Sequence, residues 1–420
     1  MYQETKLENG LRLITSSMPH TRSASIIFYI GAGARYEADS EAGISHFIEH
    51  LCFKGTQKRR TSKEISEAIE GVGGIINGGT DKEITTFWCM VASQHFSLAL
   101  DVLVDLLRNP RFDAKDIDRE RQVIIEEINM SLDSPRQRVD MLIDELLWPG
   151  QPLGRDVAGT KETVSAITRQ QMLEFSATHY TPNNTVVSIA GQIEDKQVTD
   201  TIHKSLGDWN PRAVSAGLPS KNSQNAARLN IEFRDTEQVH LCLGIPGLSL
   251  FHPDRFALDL MSIVLGEGMS SRLFTEIREK QGLAYDIHSY TDHLTDTGAV
   301  IIHAGVDPQR LEEALKAILH QLAHLKEHIS ESELNKAKEM AKGRLLIGLE
   351  NSRNVAAWFG AQAILTNQIL TADDIISMIK VITTADLKHI AEQLLVSNKL
   401  NLAIVGPVKK RELIAKLLKL

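Results

Sequence analysis

Cysteine is scarce in this chain of 420 residues, which contains only Cys52, Cys89 and Cys242. Three isolated cysteines without a C-x-x-C pair exclude a disulfide framework, so each is expected to be a small buried side chain. The sequence also lacks a run of about 18 apolar residues, the length that a membrane-spanning helix requires. Its first residues, Met1 to Lys6, contain no apolar segment of the kind found in signal peptides. We therefore expect a cytoplasmic protein without a membrane partner.

An excess of basic residues is absent as well. Lysine and arginine total 46 against 54 acidic residues, which gives a formal charge of −8. This balance argues against nucleic acid as a partner, because phosphate backbones select basic surfaces. The composition is otherwise ordinary, and 42% hydrophobic with 24% charged residues excludes the disordered and low-complexity classes. The length suits two domains of about 200 residues each.

The order of strand-like and helix-like segments is irregular, which predicts an α+β fold rather than a doubly wound sheet. The order also repeats along the chain. Gly33 and Gly247 each follow a strand candidate, Gly191 and Gly406 each close another, and the separation within the two pairs is nearly the same. A nearly constant offset indicates an internal duplication. The alternative is that any two α+β halves look alike at this level of description.

We predict two homologous halves, each a mainly antiparallel sheet packed with helices. Residues 1–206 form the N-terminal domain, 207–227 the linker and 228–420 the C-terminal domain, because Gly, Pro, Ser and Asn in the linker favour irregular structure. The predicted strands are 10–15, 23–30, 83–91, 185–190, 228–233, 239–244, 298–304 and 400–405. The predicted helices are 43–54, 62–72, 95–108, 113–132, 308–328 and 331–349.

Predicted helix 43–54 carries an H-x-x-E-H motif formed by His46, Glu49 and His50. At about 100° per residue these three side chains span about a third of the helix circumference and project from one face. Two imidazoles one turn apart can bind one divalent metal ion, and a Glu between them can reach a water molecule bound to it. This order of residues is the inverzincin signature. A surface helix with two incidental histidines is the alternative interpretation.

A zinc site needs a third protein ligand, and predicted helix 113–132 offers two candidates. Glu120 and Glu127 lie two turns apart within an apolar stripe, whereas Glu126 falls about 120° from Glu120, towards solvent. Buried carboxylates are costly unless they are paired or bind a metal, although a single one can also form a structural ion pair. The helical phase therefore favours Glu120 or Glu127 and rejects Glu126.

A second histidine series has metal-like spacing. His320, His324 and His328 recur every four residues along predicted helix 308–328. No Glu-bearing motif accompanies them, and histidine is common on the solvated faces of amphipathic helices. We therefore expect a solvated face rather than a metal site.

With these residues the sequence resembles the pitrilysin-like zinc metallopeptidases, a family that includes insulin-degrading enzyme and the mitochondrial processing peptidase. The resemblance extends over nearly the whole chain, and the spacing between His50 and Glu127 matches that of the family. It implies that His46, His50 and Glu127 bind one zinc ion per chain. It further implies that Glu49 is the general base acting on a water molecule held by the zinc, and that Glu120 supports the site.

The resemblance also indicates residues that bind substrate. Segment 74–80 resembles the family's edge strand, which binds a peptide by β-addition through the region of Asn77 and Gly78. The family usually has Ala at the position of Gly78, and the glycine is expected to loosen the strand. Arg278 and Tyr285 resemble an Arg/Tyr pair that contacts substrate. They would share one side of a helix, but we expect Gly282 to end the helix before Tyr285. A solvated helix charge is the alternative for Arg278.

The function implied by the resemblance is a zinc endopeptidase that cleaves peptides or unfolded protein segments within a closed chamber. The second half lacks the H-x-x-E-H motif, and chains of this length in the family pair so that a zinc half faces a zinc-less half. We therefore expect a homodimer, with a heterodimer of related chains as the alternative. The alternative function is a non-catalytic assembly subunit or peptide-binding protein of the same fold, although such family members lack the H-x-x-E-H residues.

Overall fold

Two β-sheets organise the chain in the computed structural model, which describes residues 2–420. The strands of the first sheet are β1 Gln3–Lys6, β2 Arg12–Ser17, β3 Ser23–Ile30, β4 Ile75–Thr80, β5 Thr85–Ala92 and β6 Thr185–Gly191. The strands of the second sheet are β7 Arg228–Phe233, β8 Val239–Pro246, β9 Ala284–His293, β10 Gly298–Val306 and β11 Asn401–Gly406.

The two sheets share one topology. The first has the order β1-β2-β6-β3-β5-β4 and the second has the order β7-β11-β8-β10-β9, so the second repeats the first without an equivalent of β1. In each sheet one neighbouring pair is parallel, β2 with β6 and β7 with β11, and the other pairs are antiparallel. The prediction of an α+β fold with two homologous halves is confirmed.

Helices make up most of the remaining chain. Those of the first half are α1 Ile44–Cys52, α2 Ser62–Glu70, α3 Phe96–Arg108, α4 Ala114–Asp133, α5 Pro135–Leu147, α6 Lys161–Ala166, α7 Arg169–His179 and α8 Asp195–Leu206. Those of the second half are α9 Arg255–Gly266, α10 Leu311–Glu327, α11 Glu331–Gly348, α12 Ser352–Thr366, α13 Ala372–Val381, α14 Thr384–Leu394 and α15 Arg411–Leu417, with a π-helical segment at Phe274–Lys280. Among residues 2–420, no helix has the length and apolar character needed to cross a membrane.

Contacts between residues divide the chain into two units. Each unit includes one helix that lies, by sequence, in the other half of the chain. Unit 1 holds the chain as far as Asn129, together with Asp156–Leu218 and Leu346–Thr371, and unit 2 holds Met130–Arg155, Pro219–Leu345 and Ala372–Leu420. Helix α5, from the first half of the sequence, therefore packs on β8 and β11 in unit 2, and α12 packs on β3 and β6 in unit 1. The boundaries at 206 and 228 stay a prediction about the duplicated sequence, and 207–227 contains no helix or strand.

Each unit has its own apolar core. In unit 1, Tyr29 on β3 and Phe359 on α12 belong to one buried cluster. In unit 2, a large cluster fills one face of the second sheet, and a smaller cluster joins Leu142 and Ile143 of α5 to Cys242 and Ile301 on the opposite face. Strands β10 and β11 are consequently buried along their whole length, as expected for strands covered on both faces.

Candidate metal centre

Helix α1 is held at its N-terminus by a glycine turn and a buried carboxylate. Gly43 precedes the helix with a φ of 95°, and a Cβ at this position would overlap the carbonyl oxygen of Ala158, so glycine is required here. The Glu37 carboxylate accepts hydrogen bonds from the backbone N–H groups of Gly43 and Ser45, both at 2.8 Å. These bonds satisfy donors that the start of a helix leaves free, and they fix the direction of α1.

Three potential metal-binding side chains converge beside α1. The Nε2 atoms of His46 and His50 lie 3.2 Å apart. Oε2 of Glu127, from α4, lies 3.9 Å from Nε2 of His46 and 3.6 Å from Nε2 of His50. Tetrahedral zinc with ligands at about 2.0–2.1 Å requires ligand atoms about 3.3 Å apart. The residues therefore fit a zinc ion held by three protein ligands, with a fourth position left for another group.

Glu120 lies behind this group rather than in it. Its carboxylate is buried, with Oε2 at 3.3 Å from Nδ1 of His50 and Oε1 at 2.9 Å from Nζ of Lys54. Burial alone would raise the pKa of the Glu120 carboxyl, but the contacts with His50 and Lys54 outweigh it and lower the pKa. A carboxylate on the far ring nitrogen of a metal-binding histidine orients the ring. Glu126 is exposed on the same helix.

The two histidines differ in their electrostatic surroundings. Burial and the neighbouring His50 lower the pKa of His46 to about 4, which keeps its ring neutral and able to donate a lone pair. Burial also disfavours the protonated form of His50, but the Glu120, Glu127 and Glu49 carboxylates outweigh it and raise its pKa. The site therefore carries enough negative charge to attract a divalent cation.

Glu49 projects towards the edge of the first sheet. Its carboxylate is buried, which raises its pKa, and it accepts a hydrogen bond from Oγ1 of Thr80 at 3.4 Å. A Cβ added to Gly78 would lie 2.7 Å from Oε1 of Glu49, so strand β4 lies directly against this carboxylate. A buried carboxylate with a raised pKa beside a metal position is suited to proton transfer.

Strand β4 forms the outer edge of the first sheet and pairs only with β5 among residues 2–420. Asn77 is exposed at the middle of this strand, where its Oδ1 accepts a hydrogen bond from the Gly78 N–H at 2.8 Å. Gly78 leaves room for the Glu49 carboxylate, a role that was not expected from the sequence. An edge strand with free backbone groups can accept a further strand.

Arg278 and Tyr285 lie together in unit 2, but they are not on one helix. The π-helical segment ends at Lys280, Gly282 adopts a φ of 59°, and Tyr285 lies on β9. The helical segment thus ends before Tyr285 and the left-handed Gly282 redirects the chain, as the sequence predicted. The Arg278 guanidinium carbon lies 5.5 Å from the ring centroid of Tyr285. Both residues line an open cleft of about 570 Å³.

The histidine series on α10 takes part in a different arrangement. A guanidinium nitrogen of Arg272 lies 3.3 Å from Nδ1 of His324, and another donates to the carbonyl oxygen of His328 at 2.8 Å. Neither residue belongs to a metal-like group of side chains in the described part of the chain.

Sequence reasoning missed Thr80 and Lys54, which contact Glu49 and Glu120. Lys54 carried a signal, since it lies four residues beyond His50, whereas Thr80 reaches Glu49 only through the packing of β4.

Known proteins resemble this chain over its whole length. A family model described as "Insulinase (Peptidase family M16)" matches residues 12–161, and one described as "Peptidase M16 inactive domain" matches residues 166–341. An uncharacterized zinc protease of Streptomyces coelicolor is 34% identical over 417 residues, covering 98% of this chain and 90% of that protein. The uncharacterized zinc protease YmxG of Bacillus subtilis is 33% identical over 410 residues, covering 97% of this chain and 98% of that protein.

Solved structures show the same fold. The crystal structure of a protease from Helicobacter pylori has a TM-score of 0.92 at 24% identity, covering 97% of this chain and 100% of that chain. A structure described as a peptidase M16 inactive domain from Pseudomonas fluorescens has a TM-score of 0.90 at 19% identity, covering 97% of this chain and 98% of that chain. The H-x-x-E-H residues and Glu127 all lie within 12–161, the segment matched by the first family model.

Proposed function

Because this chain belongs to peptidase family M16, the insulinase family, we propose that it is a zinc-dependent endopeptidase that cleaves peptides or unfolded polypeptide segments. The observation that carries this proposal is the convergence of His46, His50 and Glu127 on one position. Glu49 adds a buried carboxylate on the same helix, next to the sheet edge. The proposed ligands, the proposed base and the edge strand all belong to unit 1, which supports the proposal.

In the proposed mechanism, the zinc ion would supply a Lewis acid that polarises a water molecule and the scissile carbonyl group. Glu49 removes a proton from that water molecule and passes it to the leaving amine. The raised pKa of Glu49 increases its affinity for the proton, which suits a group that must carry it between two partners. The Thr80 hydroxyl orients the carboxylate, and Glu120 holds the His50 ring.

Substrate would bind as an additional strand on β4, with its backbone paired to the region of Asn77 and Gly78. Backbone pairing recognises the main chain more than the side chains, so it favours a broad range of unfolded sequences. Arg278 and Tyr285 offer a cation and a largely exposed aromatic ring for further substrate contacts. We extend the proposal to paired chains that enclose the substrate in a chamber and exclude folded proteins.

A non-catalytic role is the second candidate, because residues 166–341 match a domain described as inactive. A peptide-binding or assembly subunit would keep the fold and the edge strand. Such a subunit would not need three metal-binding atoms next to a buried carboxylate. His46, His50 and Glu127 also lie outside residues 166–341, the segment that matches the inactive domain. The geometry of α1 therefore favours the peptidase.

The variant Glu49→Gln tests the proposal. We expect it to retain zinc, because Glu49 is not among the converging ligands, and to lose at least about 100-fold in the rate of hydrolysis of an internally quenched peptide. Zinc content by mass spectrometry and cleavage rate are measured on the same preparation. Glu126→Gln, exposed on α4, is the matched control and should behave as the wild type. Undiminished cleavage by Glu49→Gln contradicts the assigned base, and a zinc-loaded wild type that cleaves no peptide supports the non-catalytic role.

A further inference from the structure

Unit 2 contains a second convergence of metal-binding side chains, on the face of the second sheet that α5 covers. His303 lies in the middle of β10, directly opposite Cys242 on β8 and His288 on β9. Residues directly opposite each other on neighbouring strands present their side chains on one face of the sheet. Helix α5 packs on that face and supplies Asp140.

The distances within this group resemble those of a metal site. Sγ of Cys242 lies 3.2 Å from Oδ1 of Asp140, and one ring nitrogen of His303 lies within 4.8 Å of both. A tetrahedral zinc ion with sulfur at about 2.3 Å and oxygen or nitrogen at about 2.0 Å separates its ligand atoms by about 3.5 Å. Small side-chain rotations would therefore bring the three atoms to the required separation.

His303 provides an independent observation that a ligand is missing. Its side chain is only 2% exposed, and neither ring nitrogen has a hydrogen-bond partner within the described chain. Burying a polar ring without partners is costly, and native structures rarely do so. His240, whose Nδ1 is also buried without a partner, has its ring centroid 6.0 Å from that of His303.

We propose that Asp140, Cys242 and His303 form a second metal site that binds a zinc-like divalent transition metal, with His240 as the fourth ligand. A combination of thiol, imidazole and carboxylate selects Zn²⁺ or Co²⁺ over Mg²⁺ or Ca²⁺, which prefer oxygen ligands alone. Binding converts the Cys242 thiol to a thiolate, and its proton is released to solvent as the metal–sulfur bond forms. The site lies wholly in unit 2 and does not depend on the peptidase proposal.

A second group of side chains, Asp286, His288 and His303, overlaps with this one because both contain His303. Asp286 already has two partners, since its carboxylate lies 3.5 Å from the Arg136 guanidinium and 3.5 Å from Nδ1 of His288. That pairing also offsets the positive charge of Arg136, which would otherwise oppose a bound cation. The group with the cysteine is therefore the better metal ligand set.

Titration of the full-length, reduced protein with CoCl₂ under anaerobic conditions tests the second site. A cobalt–thiolate bond gives a charge-transfer absorption that nitrogen and oxygen ligands do not give, so only a site containing a cysteine produces it, and the variants identify which cysteine. We expect the wild type to bind cobalt at Cys242 with this absorption, and Cys242→Ser to lose both the absorption and one bound cobalt per chain. Cys89→Ser, which removes another buried strand cysteine, is the matched control and should retain both.

Asp140→Asn provides a second variant for which loss of the fold is less of a concern, because Asp140 is partly exposed on α5. We expect its cobalt affinity at this site to fall at least about 10-fold, with a shift of the charge-transfer band. Circular dichroism of each variant checks that it is folded. A wild type that shows no charge-transfer absorption at saturating CoCl₂ overturns the proposal. An absorption that persists unchanged in folded Cys242→Ser, or in Asp140→Asn, also overturns it.

Discussion

At the scale of single residues, Glu120 is proposed to support the metal centre without binding the metal. It contacts the His50 ring nitrogen that faces away from His46 and Glu127, and Lys54 neutralises its second oxygen. The variant Glu120→Gln removes the charge that orients and polarises His50. We therefore expect zinc affinity to fall by about 10- to 100-fold while the fold is retained.

A competition titration between the protein and a zinc chelator measures this change. Glu126→Gln is again the matched control, because it makes the same substitution on the exposed side of the same helix. Equal zinc affinities for the two variants would show that Glu120 does not position His50.

The positions of the glutamates around helix α4 predicted part of the candidate metal centre from the sequence. It selected Glu120 and Glu127 and rejected Glu126, since periodicity reports which side of a helix faces the core. It left open which of the two binds metal, because that depends on their distances from another helix. Cys242 and His303 had no sequence signal at all, since the register between β8 and β10 is what places them opposite each other.

At the scale of elements, helix α11 is anchored by its first turn. Ser330 Oγ accepts from the Glu333 N–H at 3.2 Å, and the Glu333 carboxylate accepts from the Ser330 N–H at 2.9 Å, which together form a capping box. Arg272 donates two further bonds to the same carboxylate, at 2.7 and 2.9 Å. Burial alone would raise the pKa of Glu333, but these bonds outweigh it and lower the pKa to about 2.

The variant Glu333→Gln should therefore destabilise unit 2 in a pH-dependent way. A lowered native pKa stabilises the fold above the ordinary value of 4.5, and this contribution is lost as the pH falls from 4.5 towards 2. We expect a loss of about 1 kcal/mol at pH 7, after allowing for solvent screening, and a smaller difference at pH 3. Urea unfolding at both pH values measures it. Glu339→Gln, largely exposed on α11, is the control, and a pH-independent difference for Glu333→Gln would contradict the argument.

The packing of α12 on the first sheet gives a second prediction at this scale. A Cβ on Gly360 would overlap the Tyr29 ring and lie 2.8 Å from Cβ of Ser188. Gly360→Ala should therefore push α12 away from β3 and β6 and cost about 1–3 kcal/mol. Gly343→Ala is the matched control, because a Cβ there meets no atom within 4 Å. The control should stabilise α11 by about 0.5–1 kcal/mol. Thermal unfolding compares the two, and equal midpoints would contradict the close packing of Gly360.

Helices α4 and α12 show how the pattern of burial affects element prediction. Helix α4 was predicted to within a residue at each end because its buried side chains form a single stripe. Helix α12 was missed, since half-buried and buried side chains surround it and no stripe stands out. Strand β4 became visible only through the family resemblance, because its two glycines weaken any strand pattern.

At the scale of the whole molecule, duplication was the most informative feature of the sequence. The nearly constant offset between equivalent positions correctly implied that the two sheets share a strand order. The exchange of α5 and α12 between the units was not foreseeable, since a repeat fixes which segments are equivalent but not which sheet each one packs on. The same duplication leaves the proposed metal ligands in unit 1 and the Arg278–Tyr285 pair in unit 2.

This separation allows a decisive test of how chains are paired. If Arg278 serves the zinc site of a partner chain, a heterodimer of Glu49→Gln and Arg278→Ala chains has one intact site. It should then show about half the wild-type cleavage rate, although each homodimer is nearly inactive. Heterodimers are isolated by co-expressing the two chains with different affinity tags and purifying on both tags in turn.

The reciprocal heterodimer combines a wild-type chain with a Glu49→Gln/Arg278→Ala chain and contains the same two substitutions. With sites shared between chains, its only intact base faces the Arg278→Ala partner, so cleavage should be nearly abolished. With each chain serving its own site, this heterodimer keeps about half the activity and the first one loses it. The two arrangements thus predict opposite results for two heterodimers that carry the same two substitutions. If the two chains do not co-purify on both tags, that result contradicts the homodimer itself.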